Sequence, residues 1–455
     1  MNNQLFFLDQ HGCAKNQVDG ELLIGRLVNL GWQRTENPEE AALIIVNSCG
    51  FINSAKTESL DSLIQAKNAY PNAKVVLAGC LAERYAEELM ESLPEADAFL
   101  GNGDLSLLDQ CIENLFGGKR DAYIAPQKGV CCGDRPELLN FSGSAYVKIT
   151  EGCNNCCSFC AIPLIRGSLR SRPEKEIIEE IKQLLSRGVK EINLIGQDLA
   201  SYGKDLAETE NTKSPLAVLL EEITKITGDF WLRLLYIHPD NFPADILPVI
   251  AGDSRILPYF DVPFQSGDDQ IILQMNRNGS SAKYIELVEN IRKVLPNAVL
   301  RTTFLCGFPG ESDKQFENTR KFLSTIQPDW SGCFDYSPEE GTPAAEFDRQ
   351  VPNRKAKKRC KILQETQEEI TSERLQRHLN QKCQVIIEEI VPVKEGEETG
   401  FVIGRSWFQA PEVDGATVVQ YDATNPAQCE KIAVGAKIFA QITGIRGVDI
   451  EGFMI

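Results

Sequence analysis

The chain has 455 residues, enough for two or more domains at about 100–200 residues each. Apolar residues make up 42% and charged residues 25%, an ordinary globular balance, and 47 Lys+Arg against 65 Asp+Glu leave a net charge of −18. That sign argues against a protein held mainly by phosphate contacts and suits a basic protein partner. No apolar run nears the roughly 20 residues that span a bilayer, and the opening MNNQLFFLDQHG has no basic start and carries Asp9 in its apolar stretch, so a cytoplasmic chain without membrane span or leader is expected.

Residues 1–122 alternate short apolar strands (Leu5–Leu8, Ala42–Asn47, Lys74–Gly79, Ala98–Leu100) with amphipathic helices (Val18–Leu30, Ala55–Ala69, Ala82–Ser92, Leu105–Phe116). This βα rhythm predicts an open parallel sheet with helices on its faces. Residues 123–142 read as a linker broken by Pro126, Gly129, Gly133 and Pro136. A second series fills 143–379. Its strands are Ala145–Thr150, Glu191–Ile195, Trp231–Leu235, Tyr259–Pro263, Val299–Phe304 and Gly332–Tyr336. Its helices are Glu174–Arg187, Pro215–Thr227, Pro243–Ala251, Ala282–Val294, Ser312–Ile326 and Asn353–Asn380. Six units imply a partial or complete α/β barrel. From residue 380 to 455 four short β-branched stretches, Gln384–Val391, Gly400–Ser406, Ala416–Tyr421 and Ala436–Ile442, suit a small antiparallel barrel.

Cysteine is the informative residue: 15 are present against 3 His and 4 Met. An odd count in a long chain without an export signal points to metal or thiol chemistry rather than disulfides, and scarce His leaves thiolate ligation in front. Residues 153–160 read CNNCCSFC. They parse as Cys153, Cys157 and Cys160 with Cys156 left over, or as two abutting C-x2-C pairs for zinc. Zinc pairs usually stand a dozen or more residues apart, which favours the first parsing. Three thiolates on a cubane leave one iron open to a substrate, and the loop follows a barrel strand at the carboxyl edge, where barrel sites lie. Cys49 and Cys80 close the strands LIIVNSC and KVVLAGC, and Cys13 follows LFFLDQHGC. All three belong at one sheet edge, the ligand edge of open α/β folds, and form a candidate second set. Cys111, Cys131, Cys132, Cys306, Cys333, Cys360, Cys383 and Cys429 show no shared pattern and read as packing or linker residues. Cys131–Cys132 is the one adjacent pair among them that suggests reactivity. His11 reads as a loop histidine, and the basic run Arg354–Lys361 as a solvated helix face.

The spacing at residues 153–160, with Phe159 before the last Cys, resembles the signature of the radical S-adenosylmethionine superfamily. Together with His11-Gly12-Cys13-Ala14-Lys15-Asn16, Asn47-Ser48-Cys49-Gly50-Phe51-Ile52, Ala78-Gly79-Cys80-Leu81 and the run GCNNCCSFCAIPLIRGSLRSR, nearly the whole chain resembles that superfamily's methylthiotransferases. The resemblance implies an auxiliary 4Fe–4S cluster on Cys13, Cys49 and Cys80, and a radical-generating 4Fe–4S cluster on Cys153, Cys157 and Cys160. It implies S-adenosylmethionine contacts at Gln197, Gly307 and Glu311, a one-electron donor as partner, and a closing TRAM barrel over 380–455. Family substrates are an adenosine in tRNA or an aspartate β-carbon of a small-subunit ribosomal protein. Cys49–Lys56, Pro94–Gly101, Gln197–Lys204 and Gly404–Gly415 resemble the ribosomal-protein branch. Phe264-Gln265-Ser266-Gly267 departs from it and resembles the tRNA branch. The tail from 380 carries 6 Lys+Arg against 11 Asp+Glu, which disfavours tRNA. Trp407, Phe408, Glu412 and Asp414 are therefore expected to form an acidic, aromatic face for a basic protein loop.

Overall fold

The computed structural model describes residues 4–206, 212–394 and 396–455; the first three residues of the opening segment lie outside them. The first sheet has the order Gln33–Arg34, Leu5–Gln10, Leu43–Ser48, Lys74–Gly79, Ala98–Leu100, Ala122–Tyr123, and every pair is parallel. Leu43–Ser48 is buried along its whole length, as a central parallel strand covered on both faces requires. The strand order reverses between Leu5–Gln10 and Leu43–Ser48. That makes a topological switch point, the place where open α/β sheets bind ligands.

The helices after these strands start earlier than their apolar periodicity suggests. They are Ala14–Asn29, Asn53–Ala69 and Cys80–Ser92. Cys13 is the N-cap of the first and Cys80 the first residue of the third. The polar opening turn Ala14-Lys15-Asn16-Gln17 hides the first start from a periodicity reading, yet all four residues are buried, because the barrel covers them.

The second sheet has six parallel strands in the order Trp330–Asp335, Val299–Cys306, Ile256–Asp261, Trp231–Leu234, Glu191–Ile195, Ser144–Lys148. It curls as a partial barrel with helices outside. The tail closes a five-stranded barrel, Lys382–Val391, Thr399–Ser406, Thr417–Asp422, Asp449–Met454, Lys437–Arg446. The expectation of purely antiparallel pairing is corrected at one seam. The last strand, Asp449–Met454, escaped the sequence reading and pairs in parallel with Thr417–Asp422 to close the ring. Among the described residues no helix is long and apolar enough to cross a membrane.

The tail barrel is bolted to the concave face of the second sheet. Arg405, 3% exposed, pairs with Glu191, which also holds Arg233 at 3.0 Å. Burial alone would raise the Glu191 carboxyl, but Arg405 and Arg233 overcome it and bring it down to about 2. Trp330 Nε1 donates to the Phe408 carbonyl (2.9 Å), and Tyr259 Oη donates to Asp414 Oδ2 (2.6 Å).

Candidate functional site

Cys13, Cys49 and Cys80 meet at the switch point. Asn16 ties the strand ends together: its Nδ2 donates to the carbonyls of His11 (2.8 Å), Asn47 (3.1 Å) and Ser48 (3.2 Å). Gly12 lies at φ +88°, and a Cβ there would come within 3.1 Å of Cys49 Cβ, so only glycine lets the first loop approach the second so closely. Two donors aim at Cys80 Sγ, Arg166 Nη2 (3.1 Å) and Asn102 Nδ2 (3.4 Å). Against desolvation, the charges of Lys15 and Arg166 draw the Cys13 thiol below its ordinary value. Burial, with the neighbouring Cys80, pushes Cys49 up to about 12; burial also raises Cys80, with Arg166 opposing. The raised thiols of Cys49 and Cys80 keep their protons until a metal displaces them.

Arg166 joins this set to the barrel. It ends the short helix Ile162–Arg166, is 2% exposed, and pairs with Asp19 (2.8 Å) and Glu151 (3.0 Å). Lys148 contacts the same two carboxylates, and Gln197 Nε2 donates to Glu151 Oε1 (2.8 Å). Burial would raise Glu151; Arg166 and Lys148 hold it below the ordinary carboxylate range. This buried network was not singled out from sequence. Its one sequence signal is Arg166, shortly after the cysteine run of residues 153–160.

Cys153, Cys157 and Cys160 lie on the loop after Ser144–Lys148. Cys157 Sγ stands 3.8 Å from His238 Nε2, and Cys157 in turn raises the pKa of the buried Arg277 against desolvation. Burial pushes Cys153 up to about 11 and Cys160 up to about 12; Asp198 and Cys157 add to the first, Cys157 and Cys153 to the second. Cys156 is exposed, with φ 49°, and its carbonyl accepts from Asn276 Nδ2 (2.9 Å).

A cavity of about 530 Å³ is lined by residues adjoining Cys49 and the barrel cysteine loop. Phe51 and Ile52, just after Cys49, wall one side; Phe159, between Cys157 and Cys160, Gln265, Leu305 and Tyr336 wall the other. Its size and apolar lining suit a nucleoside-sized ligand. The Tyr336 hydroxyl is buried without a hydrogen-bond partner, as is Gln197 Oε1 behind the loop, so each leaves polar capacity for a ligand. The first domain is latched across this cavity by Lys56 (2.7 Å) and Arg84 (3.0 Å), both on Glu339. A larger groove, about 1130 Å³, runs between the helices Asp269–Gln274 and Asp313–Ile326 and touches no cysteine.

Several expected residues sit elsewhere. Glu311 does not line the cavity. Its carboxylate accepts from Gly307 N (2.8 Å) and pairs with the buried Arg359, so it builds its own turn. Gly307, at φ +79°, is placed where a Cβ would meet Ala356 Cβ at 2.4 Å, a steric need of the helix behind it. Phe408 is 1% exposed and stacks on His378 at 3.8 Å, and the Asp414 side chain is fully buried against Tyr259 and Arg301. The expected exposed face is corrected accordingly. Apolar and acidic residues in Gly404–Gly415 serve the seam, with Glu412 exposed and Trp407 half-buried at its rim. Ser266 and Gly267 also face away from the cavity: Ser266 Oγ and Gly267 N both meet Thr319 Oγ1 (3.1 Å). Cys131 and Cys132 diverge, towards the Asn102 carbonyl and Glu176 respectively. The reading of Cys306, Cys333 and Cys360 as unrelated is overturned, because their sulfurs lie within 4.8 Å of one another.

Two three-thiol sets, one on the first loop of a partial barrel, define an iron–sulfur enzyme of the radical S-adenosylmethionine class. Residues 147–323 match the Radical SAM superfamily model, 5–101 the uncharacterized protein family UPF0004 and 381–455 the TRAM domain. The radical S-adenosylmethionine methyltransferase TsrM of Kitasatospora setae shares the fold, with a TM-score of 0.55 at 14% identity over 75% of each chain. Ribosomal protein uS12 methylthiotransferase RimO of Treponema denticola is 50% identical over 98% of this chain and 100% of its own length. RimO of Aquifex aeolicus is 42% identical over 97% and 95%. The chain belongs to the RimO family of methylthiotransferases.

Proposed function

We propose that the enzyme methylthiolates the β-carbon of an aspartate in ribosomal protein uS12, with two 4Fe–4S clusters and S-adenosylmethionine. The observation that carries this reading is a cavity walled by Phe51 and Ile52, next to Cys49, and by Phe159, between Cys157 and Cys160. Cys13, Cys49 and Cys80 would hold one cluster and Cys153, Cys157 and Cys160 the other. When bound, these groups supply a carbon radical able to take hydrogen from an unactivated carbon and a methylthio group to replace it.

The chain's own residues do the rest. Phe51, Phe159 and Leu305 keep water from the cavity, which protects a radical from quenching. Arg166 and Lys15 place positive charge by the N-terminal thiolates, and Arg277 does so by Cys157. Tyr336 and Gln197 offer unpaired polar atoms to the nucleoside and amino-acid ends of S-adenosylmethionine. The acidic tail suits a basic ribosomal protein, with Glu412 and Trp407 left at the surface to meet it. A one-electron donor would complete the partners, and a ribosomal-protein substrate supports a cytoplasmic location.

The test is mass spectrometry on uS12 and on tRNA incubated side by side with reconstituted enzyme, S-adenosylmethionine and a strong reductant. A methylthio mass gain on one uS12 aspartate is expected. A gain on tRNA alone overturns the assignment and favours the tRNA branch.

A further inference from the structure

Cys306, Cys333 and Cys360 come from three elements. Cys306 ends the strand Val299–Cys306, and Cys333 lies in its parallel neighbour Trp330–Asp335, where it is paired with Phe304. Cys360 lies on the helix Asn353–Leu375, which packs over both strands. Thr303 and Leu305 line the cavity. Side chains alternate along a strand, so Cys306 stands on the opposite, helix-covered face. The triad is therefore separate from both cluster sets.

The geometry decides between kinds of metal. All three sulfurs lie within 4.8 Å of one another, and the Cys306 and Cys333 sulfurs are 3.5 Å apart. Zn–S bonds of about 2.3 Å in a tetrahedron put sulfurs about 3.8 Å apart, so one ion fits between them. A cubane sets its thiolates wider, because each binds a different iron. The two sets assigned to clusters are indeed not this tight: among the described residues only the 306–333–360 triad gathers three ligand atoms so closely. The surroundings favour a cation. Cys306 is 1% and Cys360 7% exposed, while Cys333 is partly open and leaves room for a solvent ligand. The carboxylate charges of Glu311 and Asp335 reach Cys333 and Cys360 respectively.

We infer that Cys306, Cys333 and Cys360 form a third, mononuclear metal site for a thiophilic d10 cation, Zn²⁺, that fastens the helix Asn353–Leu375 to the two strands behind the cavity. Cys360 adjoins Arg359, which holds Glu311 and through it the Gly307 turn. The ion would thus brace that turn without entering the reaction. Binding exchanges thiol protons for metal–sulfur bonds and involves no change in oxidation state.

The test uses the holoenzyme with both clusters loaded, so that the other thiol sets are occupied. It is given one equivalent of ZnCl2, desalted anaerobically and assayed for iron and zinc by mass spectrometry. One zinc per chain is expected, with zinc-edge X-ray absorption showing three sulfurs at about 2.3 Å. Cys333→Ala, the most exposed position, and Cys360→Ser should each lower retained zinc at least about tenfold with iron unchanged. Cys383→Ser, away from the triad, should retain it. No retained zinc in the wild type, zinc with fewer than two sulfur neighbours, or full retention in Cys333→Ala each overturns the site. So does a Cys306–Cys333 disulfide found by peptide mapping of anaerobically prepared protein. Should a triad variant also lose iron, the sulfur count of the wild type decides. Every readout is metal content or coordination, independent of methylthio transfer.

Discussion

The two cluster-type cysteine sets are built in opposite ways. The barrel set comes from eight consecutive residues on one loop, so its geometry is local. The N-terminal set comes from Cys13, Cys49 and Cys80, three chain segments that meet only when the whole sheet is formed. Their charge environments differ too. Arg166 reaches the N-terminal set from the barrel, donating to Cys80 while tied to Asp19 and Glu151. The local set draws its thiols from one loop, with His238 and Arg277 of the same barrel beside Cys157, whereas the assembled set depends on the contact between two domains. Damage to that contact should therefore separate the two chemistries.

The sharpest way to break this contrast is to remove one cysteine from each set. Cys157→Ala should abolish S-adenosylmethionine cleavage and about half of the bound iron. Cys80→Ala should also lose about half of the iron but keep cleavage within about twofold, while methylthio transfer falls to background. Loss of cleavage in a folded, half-loaded Cys80→Ala enzyme would erase the division of labour. Single-turnover assays of 5′-deoxyadenosine beside product mass spectra read both quantities.

Arg166→Gln probes the contact itself. It leaves Asp19 and Glu151 short of a buried partner, so a stability loss of about 3 kcal/mol is expected. Iron at the N-terminal set should bind about 10–100-fold more weakly, as for other groups that orient metal ligands. Cleavage at the barrel loop should persist. Equal damage to both sets would show that the network supports the enzyme as a whole.

These contrasts also explain what the sequence could tell. The sheet-and-barrel order was legible because buried parallel strands are continuous apolar runs, such as LIIVNS, and the cysteines mark where they end. The first turn of Ala14–Asn29 was not, since its residues are polar and are buried only by another domain. The tail was misread for the same reason. Trp407-Phe408 and Asp414 have the composition of an exposed recognition face, and only the partners Tyr259, Arg301 and His378, remote in sequence, reveal that most of them are interior. Cys306, Cys333 and Cys360 share no spacing because a helix and two strands bring them together.

A smaller effect tests the seam. Burial pushes Asp414 up to about 6, with Arg301, Ala410 N–H and Tyr259 opposing. Its folded pKa thus exceeds the ordinary 3.8. The folded state holds this proton more tightly than the unfolded state, so stability falls as pH rises from about 4 to about 6 and the cost persists above that. Asp414→Asn should remove about 1 kcal/mol of the decline between pH 5 and 7, read as the wild-type minus variant difference in denaturant midpoints. An unchanged difference would mean that the carboxyl is ionised throughout. Smallest of all, Cys156→Ser should leave iron and cleavage within about twofold of wild type, because the exposed position lies outside the three-thiol spacing. Loss of the barrel cluster in that variant would favour the paired C-x2-C parsing.

The seam between tail and barrel has a consequence for protein engineering. A grafted tail without counterparts of Arg405 and Asp414 would leave Glu191 and Arg233 short of one partner, and Tyr259 and Arg301 short of another. Such a graft would fail as a folding unit before it could report on substrate choice. Exchanging tails therefore means matching Glu191, Arg233, Tyr259 and Arg301 to residues 404–415, so that seam and tail move as one module.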